Sequence, residues 1–228
     1  MTIQGHCTDI TTDLGIEFLT TRPQDKPFFL MLHQKAPHRN WDPDERNRAR
    51  FQDQTIPEPD TLWDDYATRP TALPINEQTV ARDLTRRDLK LVPPADLKGP
   101  ALQRWLNVMP MEVTVNGKTL TGKELVQYKY QRYMQDYLAC VQGVDDGVGK
   151  VLDFLEQNEL AKNTIVIYCA DNGWYLGDLG VRTQTHKLIH YWKQDAYEMF
   201  DIENDPAEQH NFALPRSRSE AAESGREV

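Results

Sequence analysis

Two adjacent side chains with oxygen donors, Asp171 and Asn172, stand directly after an apolar run at residues 164–170. The run is rich in β-branched residues, and it predicts a buried strand of a parallel sheet. Because open α/β sheets bind ligands at the carboxyl ends of their strands, this position favours a ligand site. A carboxylate beside a carboxamide suits a hard cation such as Ca²⁺ or Mg²⁺. From these residues alone the alternative is a strand-end turn, since Asp-Asn and Asn-Gly are common in turns.

A second apolar run, at residues 28–33, predicts another buried strand and also ends in polar residues. Its ending gathers three side chains that carry or can carry positive charge, Lys35, His38 and Arg39. On these residues alone, a surface loop is the expectation for His38. For Lys35, an exposed lysine at a strand end is as well supported as a ligand contact.

Helical periodicity precedes each of the two apolar runs. Apolar residues recur at helical spacing over residues 8–21 and, for much longer, over 123–159. Two helix–strand pairs in this order predict an α/β fold with a mostly parallel sheet. Three glycines in the long pattern lower helix propensity and predict a kink or break near residues 143–149. The tyrosine-rich face of this helix is predicted to be core.

The rest of the chain predicts smaller elements. Residues 39–110 carry recurrent prolines and no long period, which favours a functional or subfamily-specific segment. A small hairpin is expected around Asn116-Gly117. Two antiparallel strands are expected at residues 186–192 and 197–202, with His186, Lys187 and His190 facing solvent. Residues 216–228 are polar and predicted to be disordered.

Composition limits the classes of partner. The 228 residues carry a net charge of −9, which argues against nucleic acid as the main partner because phosphate binding favours a basic surface. The sequence has no run of eighteen apolar residues, so no membrane span is predicted, and no signal peptide is visible. The three cysteines include no Cys-x-x-Cys pair, so a full disulfide framework is not expected, and Cys169 is predicted to be a small core residue. Nothing in the sequence predicts the oligomeric state.

An ordered set of short motifs resembles the sulfatase family of the alkaline-phosphatase-like superfamily. Each motif alone is weak, whereas the ordered set covers nearly the whole chain except its last dozen residues. Lys35-Ala-Pro-His-Arg-Asn-Trp41 is similar to the branch that acts on sulfated N-acetylglucosamine in mucin or glycosaminoglycan chains. The motifs are Lys26-Pro-Phe-Phe-Leu30, Lys35-Ala-Pro-His38, Val144-Asp-Asp-Gly-Val-Gly149, Asp171-Asn-Gly173 with Leu176-Gly177, Val181-Arg-Thr-Gln-Thr-His-Lys-Leu-Ile189, and Met199-Phe-Asp-Ile-Glu-Asn-Asp-Pro-Ala-Glu208 with Asn211.

The resemblance implies a fold and a reaction. The implied fold is α/β, with a mostly parallel sheet sandwiched by helices over residues 1–180 and a small antiparallel hairpin subdomain over 181–215. The implied reaction is hydrolysis of sulfate esters on glycans, with N-acetylglucosamine 6-sulfate as the expected substrate. Family members use Ca²⁺ or Mg²⁺ and a formylglycine nucleophile made from Cys or Ser. They are usually secreted, periplasmic or lysosomal, and this sequence does not itself indicate a location.

The resemblance also assigns roles to individual residues. Asp171 and Asn172 would be metal ligands, and His38 with Lys35 would contact the sulfate. The sugar side would be lined by Arg39, Asn40 and Trp41. Asp145 and Asp146 lie on the helical pattern, where a capping or solvated role is expected rather than metal binding.

Two features depart from the family pattern. The family's N-terminal Asp-Asp metal pair and its Cys/Ser-x-Pro-x-Arg nucleophile motif are absent from the sequence. In addition, Leu179-Gly180 runs straight into Val181-Arg182-Thr183, where the family has a longer segment that bears a sulfate-contacting lysine. We therefore expect a sulfatase fragment that is inactive by itself. The alternatives are a non-catalytic remnant that binds sulfated glycans, and a phosphodiesterase or phosphonate hydrolase relative.

Overall fold

The computed structural model describes residues 2–64, 78–170, 185–191 and 196–213. The chain divides into two units: Met1–Ile56 with Leu84–Cys169, and Pro57–Asp83 with Ala170–Val228. The predicted tail at 216–228 lies outside the described residues. In chain order the helices and strands are α1 (Cys7–Thr21), α2 (Glu45–Phe51), a 3₁₀ turn (Asp60–Trp63), α3 (Val80–Asp83), α4 (Gly99–Leu106), β1 (Val113–Val115), β2 (Lys118–Leu120), α5 (Gly122–Gln157), a second 3₁₀ turn (Ala161–Asn163), β3 (His186–Tyr191) and β4 (Ala196–Asp201).

The first unit is organised by α5, a continuous helix of 36 residues against which α1 and α2 pack. Its buried face carries Tyr130, Tyr133 and Leu155, which confirms the predicted core face. The predicted helix break near the glycines does not occur. Instead, a Cβ built on Gly147 would lie 2.5 Å from the hydroxyl oxygen of Thr12 on α1. Gly147 therefore allows α1 and α5 to lie close together. Any side chain at this position would collide with Thr12, which accounts for a glycine in the interior of a helix.

The two apolar runs are not paired as strands in the part of the chain that the structure describes, so the predicted parallel sheet is not confirmed. Within the described residues, the sheets are two antiparallel pairs, and residues 28–33 and 164–170 belong to neither. Phe29 is 83% exposed, and Ile165 and Ile167 are 90% and 80% exposed. One side of the first run still packs inward, since Leu32 contacts the position of Gly15 on α1. A strand needs hydrogen-bonding neighbours, and no described segment supplies them to either run.

The described parts of the proline-rich stretch, residues 39–64 and 78–110, form short helices and turns. Residues 84–90 form a turn-rich segment anchored in the first unit by Leu84 and Leu89, which are both buried. The predicted hairpin is confirmed: β1 pairs antiparallel with β2, with Val113 opposite Leu120. Asn116 and Gly117 both have positive φ, 49° and 78°, as a two-residue hairpin turn of the mirror-image type requires.

The second unit contains the antiparallel pair of β3 and β4, in which His186 lies opposite Asp201. This pairing confirms the predicted C-terminal hairpin. Phe200 and Ile202 are buried and form its apolar side. One orientation was predicted wrongly: Lys187 does not face solvent but is buried and pairs with Glu208. Lys187 lies on the face of the hairpin that is covered by the turn carrying Glu208.

Two further expectations concern the burial of Cys169 and membrane-spanning helices. Cys169 is exposed rather than part of the core, because the run that contains it is not covered by a sheet neighbour among the described residues. In the part of the chain that the structure describes, no helix has the length and apolarity needed to cross a bilayer.

Candidate functional site

The loop at residues 35–41, here called the cationic loop, follows the first apolar run. The backbone N–H of His38 donates to the carbonyl oxygen of Lys35 at 3.0 Å, which closes a tight turn. The side chains of Lys35 and His38 are both exposed on this turn. Nδ1 of His38 lies 2.5 Å from the carbonyl oxygen of Arg39. Because a carbonyl oxygen only accepts, this contact requires the proton on Nδ1 and leaves Nε2 as the ring nitrogen outside the contact.

The base of the cationic loop is held by Asp88, which sequence reasoning had not identified. Arg39 donates through Nε to Oδ1 of Asp88 at 2.9 Å and through Nη2 to Oδ2. Asn40 donates through Nδ2 to the same Oδ1 at 2.8 Å. The forked contact between a guanidinium and a carboxylate fixes the orientation of both groups as well as their separation.

Asp88 is itself fixed within its own turn. Its Oδ2 accepts from the backbone N–H of Thr85 at 2.8 Å and from the Thr85 hydroxyl at 2.7 Å. Burial would raise the pKa of the Asp88 carboxyl, but the hydrogen bonds from Arg39 and Thr85 outweigh it and lower the pKa below its usual value. The signal that could have found Asp88 is the spacing Thr85-x-x-Asp88, which is typical of reciprocal capping turns.

Lys90 holds the following part of the chain from the same segment. Its Nζ donates to the carbonyl oxygen of Asn40 at 2.8 Å and lies 2.8 Å from Oδ1 of Asp42. The backbone of Lys90 has φ of 54°, a left-handed conformation that is uncommon outside glycine. Residues 84–90 therefore contact the chain after His38 through two different side chains.

Trp41 lies beneath the loop rather than on its surface. It is 2% exposed and contacts Tyr133 of α5 edge to face, with 4.6 Å between the ring centroids. The side chain of Arg39 is 31% exposed and stands with its guanidinium 6.0 Å from the Trp41 ring. Of the three residues expected on the sugar side, Trp41 is thus a core contact that supports the loop.

The expected metal ligands Asp171 and Asn172 lie outside the described residues. Within the described ranges, no three or more His, Cys, Asp and Glu side chains are grouped so that they could hold a metal ion. Asp146 instead accepts from Asn47 at 3.2 Å and from Gln142 at 2.9 Å, and thereby joins α2 to α5. Burial opposes ionisation of the Asp146 carboxyl, but these two hydrogen bonds lower its pKa. Asp146 therefore has a structural role between α2 and α5.

Comparison with known proteins gives consistent results. The profile of the Sulfatase family matches residues 2–219. An N-acetylglucosamine-6-O-sulfatase of Bacteroides thetaiotaomicron is 39% identical over 194 residues, which are 78% of this chain and 35% of the relative. The human iduronate 2-sulfatase is 30% identical over 89 residues, 38% of this chain and 16% of the relative. This chain therefore spans about a third of the length of the first relative.

A solved structure also matches nearly the whole chain. A protein determined in complex with its substrate, D-glucosamine-2-N,6-O-disulfate, superposes with a TM-score of 0.75 and 25% identity. The match covers 99% of this chain and 68% of the other. The likeness therefore extends over both units, while about a third of that neighbour has no counterpart here.

Proposed function

Because the chain belongs to the sulfatase family, we propose that it carries part of a site for the hydrolysis of sulfate esters on glycans, with N-acetylglucosamine 6-sulfate as the substrate. The observation that carries the proposal is the cationic loop, which presents Lys35 and His38 to solvent on a base fixed by buried Asp88. One similar protein is named as an N-acetylglucosamine-6-O-sulfatase, and another was determined with D-glucosamine-2-N,6-O-disulfate. Both support the choice of a 6-sulfated glucosamine derivative as substrate.

The proposed chemistry assigns the loop to the sulfate group. Cleavage of a sulfate ester builds negative charge on the leaving oxygen and on the sulfuryl oxygens, and fixed cationic groups lower the energy of that arrangement. In this proposal His38 and Lys35 contact the sulfate oxygens. The exposed part of Arg39 lines the sugar side with Asn40, and Trp41 supports both from below.

Asp171 and Asn172 are proposed as ligands of Ca²⁺ or Mg²⁺. Their donor set fits a hard cation, because a carboxylate and a carboxamide both offer oxygen. Two residues are fewer than the six to eight oxygen ligands that Ca²⁺ takes, so further donors are needed. When bound, such a cation would polarise a sulfate oxygen. The formylglycine nucleophile has no matching motif in the sequence, so turnover would require a group that these residues do not encode.

The finer description of the fold is also a proposal. We propose that residues 28–33 and 164–170 are strands of one parallel sheet when neighbouring strands are present. The first run supports this, since residues 28–35 alternate between half-buried and exposed positions. The same proposal divides the chain into a catalytic part at 1–180 and a hairpin part at 181–215.

Binding measurements on the 228-residue protein test the proposed function. We expect calorimetry to detect N-acetylglucosamine 6-sulfate but not unsulfated N-acetylglucosamine, with weaker binding in His38→Ala and Lys35→Ala. His33→Ala is the matched control, because His33 is also exposed but lies outside the cationic loop. Equal binding by wild type and the two loop variants would contradict the sulfate contacts. We expect no sulfate release from a chromogenic sulfate ester. Tighter binding of N-acetylglucosamine 6-phosphate than of the 6-sulfate would favour a phosphoester substrate instead.

A further inference from the structure

We infer that Asp88 is a positioning residue that sets the orientation of His38 through Arg39 and Asn40. The inference rests on the proposed function, in which His38 contacts the sulfate, and it adds a residue to that site. Asp88 and Lys90 both belong to residues 84–90, the clamp segment.

Asp88 is held by hydrogen bonds from three residues. Its side chain is fully buried, with 0% exposure, and its two carboxylate oxygens accept five hydrogen bonds, two from Arg39, one from Asn40 and two from Thr85. A carboxylate held in this way cannot move without losing several charge-assisted hydrogen bonds. The residues that it holds are the two that directly follow His38 in the chain.

Arg39 connects Asp88 to the imidazole of His38. The Arg39 side chain is anchored on Asp88, and the Arg39 carbonyl oxygen accepts from Nδ1 of His38. That contact selects the tautomer with the proton on Nδ1 and leaves Nε2 as the ring nitrogen available to a ligand. Asp88 is therefore connected to the imidazole of His38 by two hydrogen bonds and by the side chain and backbone of Arg39.

A second side chain of the clamp segment, that of Lys90, acts in the same place. Lys90 donates to the carbonyl oxygen of Asn40 and pairs with Asp42. The segment is fixed in the first unit by Leu84 and Leu89, so both polar contacts start from a buried base. Groups that bind a substrate need such support, because a misplacement of about 1 Å can cost roughly a hundredfold in rate.

The test combines ligand binding with the state of the His38 ring in the full chain. In Asp88→Asn, which preserves the size of the side chain but removes its charge, we expect affinity for N-acetylglucosamine 6-sulfate to fall about tenfold or more. Nitrogen-15 NMR of the His38 ring should show loss of the Nδ1-protonated tautomer. Arg39→Lys, which keeps the charge but cannot form the fork, should show the same two changes in smaller measure.

Asp146→Asn is the matched control, since it removes a carboxylate that joins α2 to α5 and does not contact the cationic loop. We expect it to lower stability while the ring signals of His38 and the affinity stay as in wild type. Unchanged His38 signals in folded Asp88→Asn would overturn the inference, even if wild type fails to bind the sugar. Failure of wild type to bind, with altered His38 signals in the variant, would overturn the proposed function and leave the positioning role supported.

Discussion

The ammonium group of Lys187 lies 2.7 Å from a carboxylate oxygen of Glu208, and both side chains are buried in the second unit. This pair joins β3 to the turn that follows β4, across 21 residues of sequence. Removing one partner of such a pair leaves an uncompensated charge away from water, which is usually more costly than the pair itself is favourable.

Lys187→Met is expected to destabilise the hairpin of β3 and β4 by about 3 kcal/mol. The control is Lys118→Met, because Lys118 forms an ion pair of the same 2.7 Å length with Glu124, but both of those side chains are exposed. That control should lose no more than about 1 kcal/mol. Hydrogen exchange of the β3 and β4 amides measures the first effect. Exchange in Lys187→Met that is as slow as in wild type would contradict a structural role for the pair.

Gly147→Ala is expected to destabilise the first unit by about 1–3 kcal/mol, since the new methyl group would overlap the Thr12 hydroxyl. That hydroxyl is buried and bonds to the Thr8 carbonyl oxygen and to Gln34, so rotating it away breaks contacts. Gly149→Ala meets no atom within 4 Å and should instead gain about 0.5–1 kcal/mol from helix propensity. Urea denaturation followed by circular dichroism distinguishes the two, and equal effects would disprove the close packing.

Asp88 and Asp136 are both buried, and acid should change their contributions to stability in opposite directions. For Asp88 the folded pKa lies below the usual 3.8. Its carboxylate therefore stabilises the fold above that pH, and the contribution is lost as pH falls through the lower folded pKa. For Asp136, burial raises the folded pKa despite Arg132 and Arg48. Its ionisation therefore costs stability at neutral pH, and the cost disappears as pH falls from the raised folded pKa towards 3.8.

Thermal midpoints of Asp88→Asn and Asp136→Asn, measured against wild type between about pH 3 and pH 7, test these signs. The stability advantage of wild type over Asp88→Asn should shrink with acidification. Relative to Asp136→Asn, wild type should gain stability over the same range. Parallel pH profiles for the two variants would show that the local environments do not control these carboxylates.

Cys140 is expected to resist alkylation in the native protein while Cys7 and Cys169 react. Burial, reinforced by the charge of Asp136, raises the pKa of the Cys140 thiol to about 12. At pH 8 roughly one such thiol in ten thousand is a thiolate, and the thiolate is the reactive form. Cys7 and Cys169 are exposed. Mass spectrometry after brief iodoacetamide treatment should show two modified cysteines, and rapid modification of Cys140 would contradict its burial.

The 228-residue protein is expected to self-associate through its exposed apolar runs. Met31 is largely exposed, as is Ile167, and contiguous apolar surface of this kind promotes association. Met31→Lys and Ile167→Lys should shift sedimentation towards the monomer. Val92→Lys is the control, because Val92 is 88% exposed but stands outside both runs. An unchanged sedimentation profile in all three variants would show that the runs do not mediate association.

Local sequence patterns predicted the elements whose structure depends on nearby residues. The 3.6-residue period gave α1 and α5 close to their observed bounds, since a helix bonds each residue to one four positions away. Asn116-Gly117 gave the hairpin of β1 and β2, because both residues tolerate positive φ. The cationic loop was located by its motif, which needs only the order of residues.

Contacts between distant residues could be decided only by the tertiary structure. Arg39 and Asp88 are 49 positions apart, and no local pattern links them. The alternation of side chains along a strand does not determine which face of the hairpin is buried. The turn that carries Glu208 covers the face on which Lys187 lies. Residues 164–170 have the composition of a buried strand, but burial requires neighbours on both sides, and the described residues leave Ile165 exposed. The sequence by itself determined α1, the extent of α5, the two hairpins and the family of this protein, since those depend on short-range order. The anchoring of the cationic loop depends on which side chains folding brings together.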